Sequence, residues 1–271
     1  GKQYATDTTE VIDGKFSFLG EKELQGGMYL VVLGNQQYFD IIVSEQHFSF
    51  STKLDDLIGS MSFKNSNENP PFYEYLNFIT QMQKQVTPIR QQLETAEGDA
   101  KKALQEKANA IDVKVKKFRS DFMTSNKDKF FSKIVTATTE IEIPQSPLDS
   151  TGNADKTFPY RFYKNHFWDN IDFSDSRMLR TPIFFNKMDQ YLNKLTAKHP
   201  DSINVSADVL IKLSKANGDI FQYVVSYITS TYERSKIMGM DAVFVHMVEK
   251  YYITNQCDWV DSTQLVKIAD R

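Results

Sequence analysis

Residues 70–125 read PPFYEYLNFITQMQKQVTPIRQQLETAEGDAKKALQEKANAIDVKVKKFRSDFMTS, and the spacing of their apolar positions decides the fold. Phe72, Tyr75, Ile79, Met82, Val86, Ile89 and Leu93 recur at 3-4-3-4-3-4, the seam of a helix that packs along its length on another helix. Pro70-Pro71 suits the first helical turn, where fixed φ helps and a missing N–H costs nothing. Glu97-Gly98-Asp99 combines a helix stop with an N-cap. The seam then resumes at Leu104, Ala108, Ile111, Val115, Phe118 and Phe122. Two long helices joined by so short a turn must run antiparallel. Pro88 lies off the seam, so it is expected to kink the first helix without ending it. A further short helix, with Asn126 as its expected cap, carries Phe130, Phe131, Ile134 and Val135. Ten Lys or Arg against five Asp or Glu between Asp99 and Lys133 read as the solvated outer face of the hairpin, although an anionic partner would meet the same excess.

Upstream the period changes to two. Asp13-Gly14 between apolar residues is a hairpin signal, because both turn positions want φ > 0. Tyr4–Val11, Phe16–Phe18, Met28–Leu33, Tyr38–Val43 and His47–Ser51 read as five short strands. Met28–Leu33 is apolar throughout, as a strand covered on both faces would be, with Gly34-Asn35 as the turn that follows. Phe48 and Phe50 are expected on the core side and His47 outside. Such a sheet needs a helix on its face to be stable.

Downstream, residues 143–159 hold three prolines among Ser, Thr, Gly and Asn and read as a linker. A ladder of short helices follows. Tyr160–Trp168 is aromatic and periodic, and Thr181-Pro182 forms an N-cap and first-turn pair. Ile203, Ala207, Leu210 and Leu213 point inward before the stop at Asn217-Gly218, and Asp219 is expected to cap the next helix. Gly239 and Asp241 repeat the stop and start. Helices spaced in this way, with short connections and no repeat consensus, favour an irregular bundle over a repeat superhelix.

Composition narrows the chemistry. A length of 271 residues suggests about two domains. Gly 11 and Pro 8 are few, so Gly-rich phosphate loops are not expected and helix is. A net charge of −3 offers no general attraction for nucleic acid or acidic lipid. Cys257 alone excludes an internal disulfide, a Cys-x-x-Cys pair and a thiolate zinc site. No apolar run approaches the ~18 residues of a membrane span. Gly1 and the uncapped run Ser262–Arg271 read as trimmed ends, so the chain is either cytosolic or separated from its export signal.

Individual residues yield no catalytic, cofactor or metal assignment. His246 has Glu249 one turn on, a weak metal signal amid Phe244, Val245, Met247 and Val248. Asp169, Asp172 and Asp175 recur every third position, which does not suit a calcium loop; capping and pairing with Arg177 and Arg180 suits them better. Cys257 beside Trp259 lacks the basic neighbour of a reactive thiol. Exposed aromatics such as Tyr160, Phe162 and Trp168 would supply the surface of a glycan- or peptide-binding module.

Four stretches are more specific: Asp169-Asn170-Ile171-Asp172-Phe173-Ser174-Asp175, Leu179-Arg180-Thr181-Pro182, Pro200-Asp201-Ser202-Ile203, and Ile237-Met238-Gly239-Met240-Asp241-Ala242-Val243-Phe244-Val245-His246. Across residues 157–271 the chain resembles the helical domain of unknown function that precedes the thioredoxin fold in a family of extracytoplasmic thiol-disulfide oxidoreductases of Gram-negative bacteria. Phe39-Asp40-Ile41-Ile42-Val43, Glu45-Gln46, Lys64-Asn65-Ser66 and Phe72-Tyr73-Glu74-Tyr75-Leu76 are similar to that family's N-terminal β domain and following helices. The resemblance implies a Cys-x-x-Cys domain on the same polypeptide, with protein disulfides as substrates. It also implies an exported, lipid-anchored parent and further strand sequence before the equivalent of Tyr4. This chain holds no position matching the redox motif.

The reading is therefore α+β: a small antiparallel β domain (1–66), a long antiparallel helical hairpin plus a short helix (67–142), a linker (143–159) and an all-α bundle (160–271). Its expected role is non-catalytic, positioning or presenting substrate to a thioredoxin-like domain in the periplasm or at the cell surface. Tyr160, Phe162, Trp168, Arg177 and Arg180 are the candidate interaction residues. No cofactor, metal or nucleic acid is expected, and membrane contact only through a lipid anchor outside these residues.

Overall fold

The computed structural model describes residues 4–148, 150 and 152–269, and the fold is α+β. The chain divides into two compact units, Lys2–Thr138 and Thr139–Arg271.

In the first unit, β1 (Gly27–Val32) and β2 (Tyr38–Val43) form an antiparallel ribbon, with Gly27 opposite Val43 and Val32 opposite Tyr38. β3 (Ser49–Ser51) pairs with β4 (Ser62–Lys64) in a second. Both ribbons feed one apolar cluster, in which Val31, Phe39, Ile41 and Val43 meet Phe48, Phe50, Phe63 and Met61. The expected single sheet is thus two ribbons. Residues 4–26 contribute only the isolated bridge Ile12–Lys15, closed over Asp13 and Gly14 with φ of 51° and 72°. Leu24 meets no strand; the Gln46 side chain accepts from its N–H (2.9 Å) and donates to its carbonyl (2.9 Å). The strand covered on both faces is the end of β2, where Ile41, Ile42 and Val43 are all buried, whereas Val32 at the end of β1 is exposed. The turn between them puts its positive φ on Gln36 (68°) and not on Gly34.

The hairpin is α1 (Asn69–Leu93) and α2 (Gly98–Ser125), in contact along the seam, with Val86, Ala108 and Ile111 buried among Met82, Ile89, Leu93 and Val115. α1 runs through Pro88. Near the strands the seam turns aromatic: Phe78 stacks on Phe118 at 3.8 Å, and Tyr75, Phe122 and Phe72 surround Phe131 of α3 (Phe130–Ala137). Asn126 caps α2, not α3, since its N–H and side-chain amide both donate to the Phe122 carbonyl. The α3 N-terminus is capped instead by Glu68, whose Oε1 accepts from Phe130 N–H (2.9 Å) and Oε2 from Phe131 N–H (3.1 Å). A carboxylate suits this place because it answers two unpaired donors and the positive end of the helix dipole.

Asn69, 0 % exposed, joins α1 to β2. Its Oδ1 accepts from Ile42 N–H (2.8 Å), and its Nδ2 donates to the Ile42 carbonyl (2.7 Å) and to Ser66 Oγ (3.0 Å). Tyr73, one turn on, donates its hydroxyl to the Asp40 carbonyl at 2.9 Å.

The second unit holds α4 (Phe158–His166), a 3-10 turn at Ser176–Arg180, α5 (Pro182–Asn193), α6 (Pro200–Ser214) and α7 (Gly218–Glu233). α8 (Asp241–Met247) continues as a π-helical turn, Val248–Tyr252, and α9 (Ser262–Ala269) follows. Each start of α5 and α6 carries proline in the first turn. Thr181 precedes α5 without capping it, because its hydroxyl donates back to the Met178 carbonyl (2.8 Å). α7 starts two residues earlier than its sequence suggests: Asn217, not Asp219, is the cap, its Oδ1 accepting from Asp219 and Ile220 N–H, and Gly218 is already helical.

Replacing Asn69 by alanine removes both bonds to Ile42 and strands its N–H and carbonyl away from water, at roughly 1–3 kcal/mol for each buried orphan. We expect Asn69→Ala to lower unfolding free energy by about 3 kcal/mol in urea titration, monitored by circular dichroism. A loss under ~0.5 kcal/mol would mean that the amide is not holding the strand.

Candidate functional site

α6 carries three faces. Ile203, Ala207, Leu210, Ile211 and Ser214 are buried in the bundle. Leu213 is not among them; the 3.6-residue period passes its place to Ser214, whose hydroxyl donates to the Ile211 carbonyl at 2.8 Å. Leu213 lines up instead with Val205 and Val209 in a second apolar row at i, i+4 and i+8, exposed by 39 %, 65 % and 45 % respectively.

This row is one wall of an open groove of about 770 Å³. Trp168, Phe173 and Tyr191 also line it, as does Lys164. The Lys164 ammonium lies 5.7 Å from the centre of the Tyr191 ring, and burial pulls its pKa below the usual lysine value. Asp169 and Asp201 add acidic groups to the same lining. The volume falls within the ~300–1,000 Å³ of ligand clefts, and such a lining suits a partly apolar chain with a few polar groups.

The third face presents Asp208 toward α8. Its Oδ1 accepts from His246 Nε2 (3.0 Å) and from the Tyr251 hydroxyl (2.6 Å), and its Oδ2 accepts from Lys250 Nζ (2.7 Å). His246 and Lys250 stand four apart, on one face of any helix, but Tyr251 is five from His246. The π turn, closed by Ile253 N–H to the Val248 carbonyl (3.0 Å), widens the spiral so that residues five apart also align. Burial acts to raise the Asp208 pKa, but the bonds from Lys250, Tyr251 and His246 together outweigh it and hold the carboxyl below its usual range. Tyr251 is pushed the other way, by burial first and then by the carboxylate. With both oxygens engaged, Asp208 clasps α6 to the α8 turn and offers no free base.

The sequence-derived candidates scatter. Tyr160 is exposed, with its hydroxyl donating to the Leu195 carbonyl at 2.6 Å. Phe162 is half-buried between Phe158 and His166. Trp168, expected at the surface, is 5 % exposed, because its ring is enclosed edge-on by Phe167, Phe173 and Tyr191. Only Trp168 of the three lines the groove, so they form no exposed aromatic row. Arg177 bonds Asp175, the cap of the 3-10 turn, through Nε (2.9 Å) and Nη2 (2.7 Å), and Arg180 Nη1 donates to the Ser176 carbonyl (3.4 Å). Asp172 accepts from Ser174, and Asp169 from His166 Nδ1 at 2.6 Å. Among the described residues no three His, Cys, Asp or Glu side chains converge as a metal site. No described helix is long and apolar enough to cross a membrane.

Cys257 is buried, and burial, with the Asp258 carboxylate adding to it, pushes its thiol up to about 12. Two outcomes follow. At mildly alkaline pH the folded chain should leave Cys257 unmodified by a thiol-disulfide reagent that titrates one thiol in denaturant; a fast reaction of the folded protein contradicts this burial. For Asp208 the folded pKa is depressed, so its contribution is complete above the unfolded carboxylate pKa and disappears as pH falls through the folded value. The melting-temperature gap between the native chain and Asp208→Asn should therefore be widest near neutrality and close below about pH 4.

Comparison with known proteins finds matches for two stretches of the chain. No curated protein and no solved structure matches the chain. Residues 1–72, which take in all four strands and the start of α1, match a family described as Domain of unknown function (DUF4369). Residues 121–271, from the last turn of α2 through the whole helical unit with its groove, match another and make up more than half of the sequence. The chain belongs to that second family, described as Domain of unknown function (DUF5106).

Proposed function

We propose that this chain is the non-catalytic accessory region of an exported thiol-disulfide oxidoreductase, seating protein substrate for a thioredoxin-like domain of the same polypeptide. The observation that carries the reading is the open groove walled by Val205, Val209 and Leu213. A row of aliphatic side chains left in solvent is costly to keep unless something covers it, and a partly unfolded polypeptide brings apolar side chains of matching character. The sulfur chemistry supports the same division of labour. A thiol raised to about 12 holds almost no thiolate at neutral pH, so it neither attacks a disulfide nor competes with a redox pair beside it. The family resemblance set out above supplies the compartment, periplasm or cell surface, with a lipid anchor outside these residues.

Insulin reduction tests it. The 271-residue chain should be silent, and the polypeptide that continues past Arg271 should be active. In that longer protein Val209→Asp should raise KM for a protein disulfide several-fold while leaving turnover of a small aromatic disulfide unchanged. Silence of the longer protein toward every disulfide tried removes the redox reading, and an unchanged KM removes the groove from it.

A further inference from the structure

The chain holds nine methionines, and their surroundings differ sharply. In the helical unit Met178, Met188, Met240 and Met247 are 0–4 % exposed. Met28, Met61, Met82 and Met123, in the first unit, are half-buried. Met238 is 99 % exposed. It stands on the connection between α7 and α8, and three features hold it there. Ile237 N–H donates to Ser235 Oγ at 3.2 Å. Met240 N–H closes a four-residue turn onto the Ile237 carbonyl at 3.1 Å. Gly239, at φ 81°, takes the third position, where such a turn needs the left-handed region. Met240 is sunk in the core at one end of this turn, so Met238 is displayed outward on an ordered support, beside the exposed Ile237.

We propose that Met238 is the peroxide-reactive site of this chain. A thioether lone pair attacks one oxygen of hydrogen peroxide; the S–O bond forms as the O–O bond breaks, and the departing hydroxide takes the proton of the oxygen now bound to sulfur, directly or through solvent, and leaves as water. Sulfur is oxidised by two electrons to the sulfoxide and the peroxide is reduced by two. Approach to the sulfur governs this step, and among the described methionines Met238 alone presents its whole side chain to solvent. Because no core packing rests on it, the sulfoxide is accommodated without loss of fold, and the Ile237-Met238 projection changes from apolar to polar. The site is therefore a redox-sensitive surface side chain, independent of the accessory role proposed above.

Trypsin provides an internal control, since cleavage after Lys236 and Lys250 releases Met238, Met240 and Met247 on one peptide. After treatment of the folded chain with hydrogen peroxide, fragment-ion spectra should place the first added oxygen on Met238. Its rate should exceed that of Met240 and Met247 by at least ~10-fold. Met238→Leu should abolish the fast phase, and complete oxidation at Met238 should leave the melting temperature unchanged. Equal rates along the peptide, or a fast phase that survives in Met238→Leu, would overturn the assignment.

Discussion

A side-chain amide doing the work of a strand is the contact on which the first unit depends. β2 has β1 along one side, and a two-stranded ribbon is marginal in water by itself. At Ile42, fully buried, the main chain on the other side still needs a donor and an acceptor. Asn69 supplies both from the first residue of α1, so the start of the helix is fixed against the ribbon by hydrogen bonds as well as by packing. The residue before it, Glu68, turns the other way and caps α3. Ser66 and Asn67 are bonded in turn to Glu45, just past β2. Four consecutive polar residues thus place ribbon, hairpin and short helix relative to one another. The burial of Glu68 and Asn69 is tolerable because their side-chain polar atoms all have partners.

The helical unit answers the opposite problem. Its core is apolar apart from a few hydroxyls such as Ser206 and Ser214, and its distinctive contact is a charge, Asp208, held at the edge by His246, Lys250 and Tyr251. A regular α-helix would aim two of those donors the same way and the third elsewhere, and the π turn brings all three to the Asp208 carboxylate. That clasp ties α6 from one side and leaves its row of Val205, Val209 and Leu213 free on another. α6 is thus held by buried residues on one face and by charged hydrogen bonds on a second, while its third face lines the groove.

Much of this was legible in local pattern. The 3-4 spacing of residues 72–122 defines the hairpin because both partners lie close in sequence and the spacing repeats six times in the first helix and five in the second. Asp13-Gly14 marks its turn for a purely steric reason. The failures share a cause: the deciding partner lies far along the chain. Asn126 has the composition of a cap for α3, but the true cap is Glu68, 62 residues away. His246 pairs with Asp208 at a separation of 38, not with Glu249 one turn on. Trp168 lies just past the end of α4, and beside its neighbour Phe167 it is the later Phe173 and Tyr191 that enclose it. One signal was present and unread. Val205, Val209 and Leu213 share a face that the core residues 203, 207, 210 and 211 do not need, and a helix with two apolar rows has one to spare.

The distribution of sulfur extends the argument from fold to chemistry. Disulfide exchange requires a thiolate, and the one thiol here is buried deeply enough to keep its proton far into the alkaline range. A chain that worked beside a dithiol catalyst would need that inertness, since any accessible cysteine would be drawn into mixed disulfides with substrate. Thioethers carry no such hazard, because they do not exchange with disulfides, and so a methionine can stand at the surface where a cysteine cannot. Burial of Cys257 is what such a role would ask of a thiol, whereas the exposure of Met238 is merely compatible with it and stands on its own.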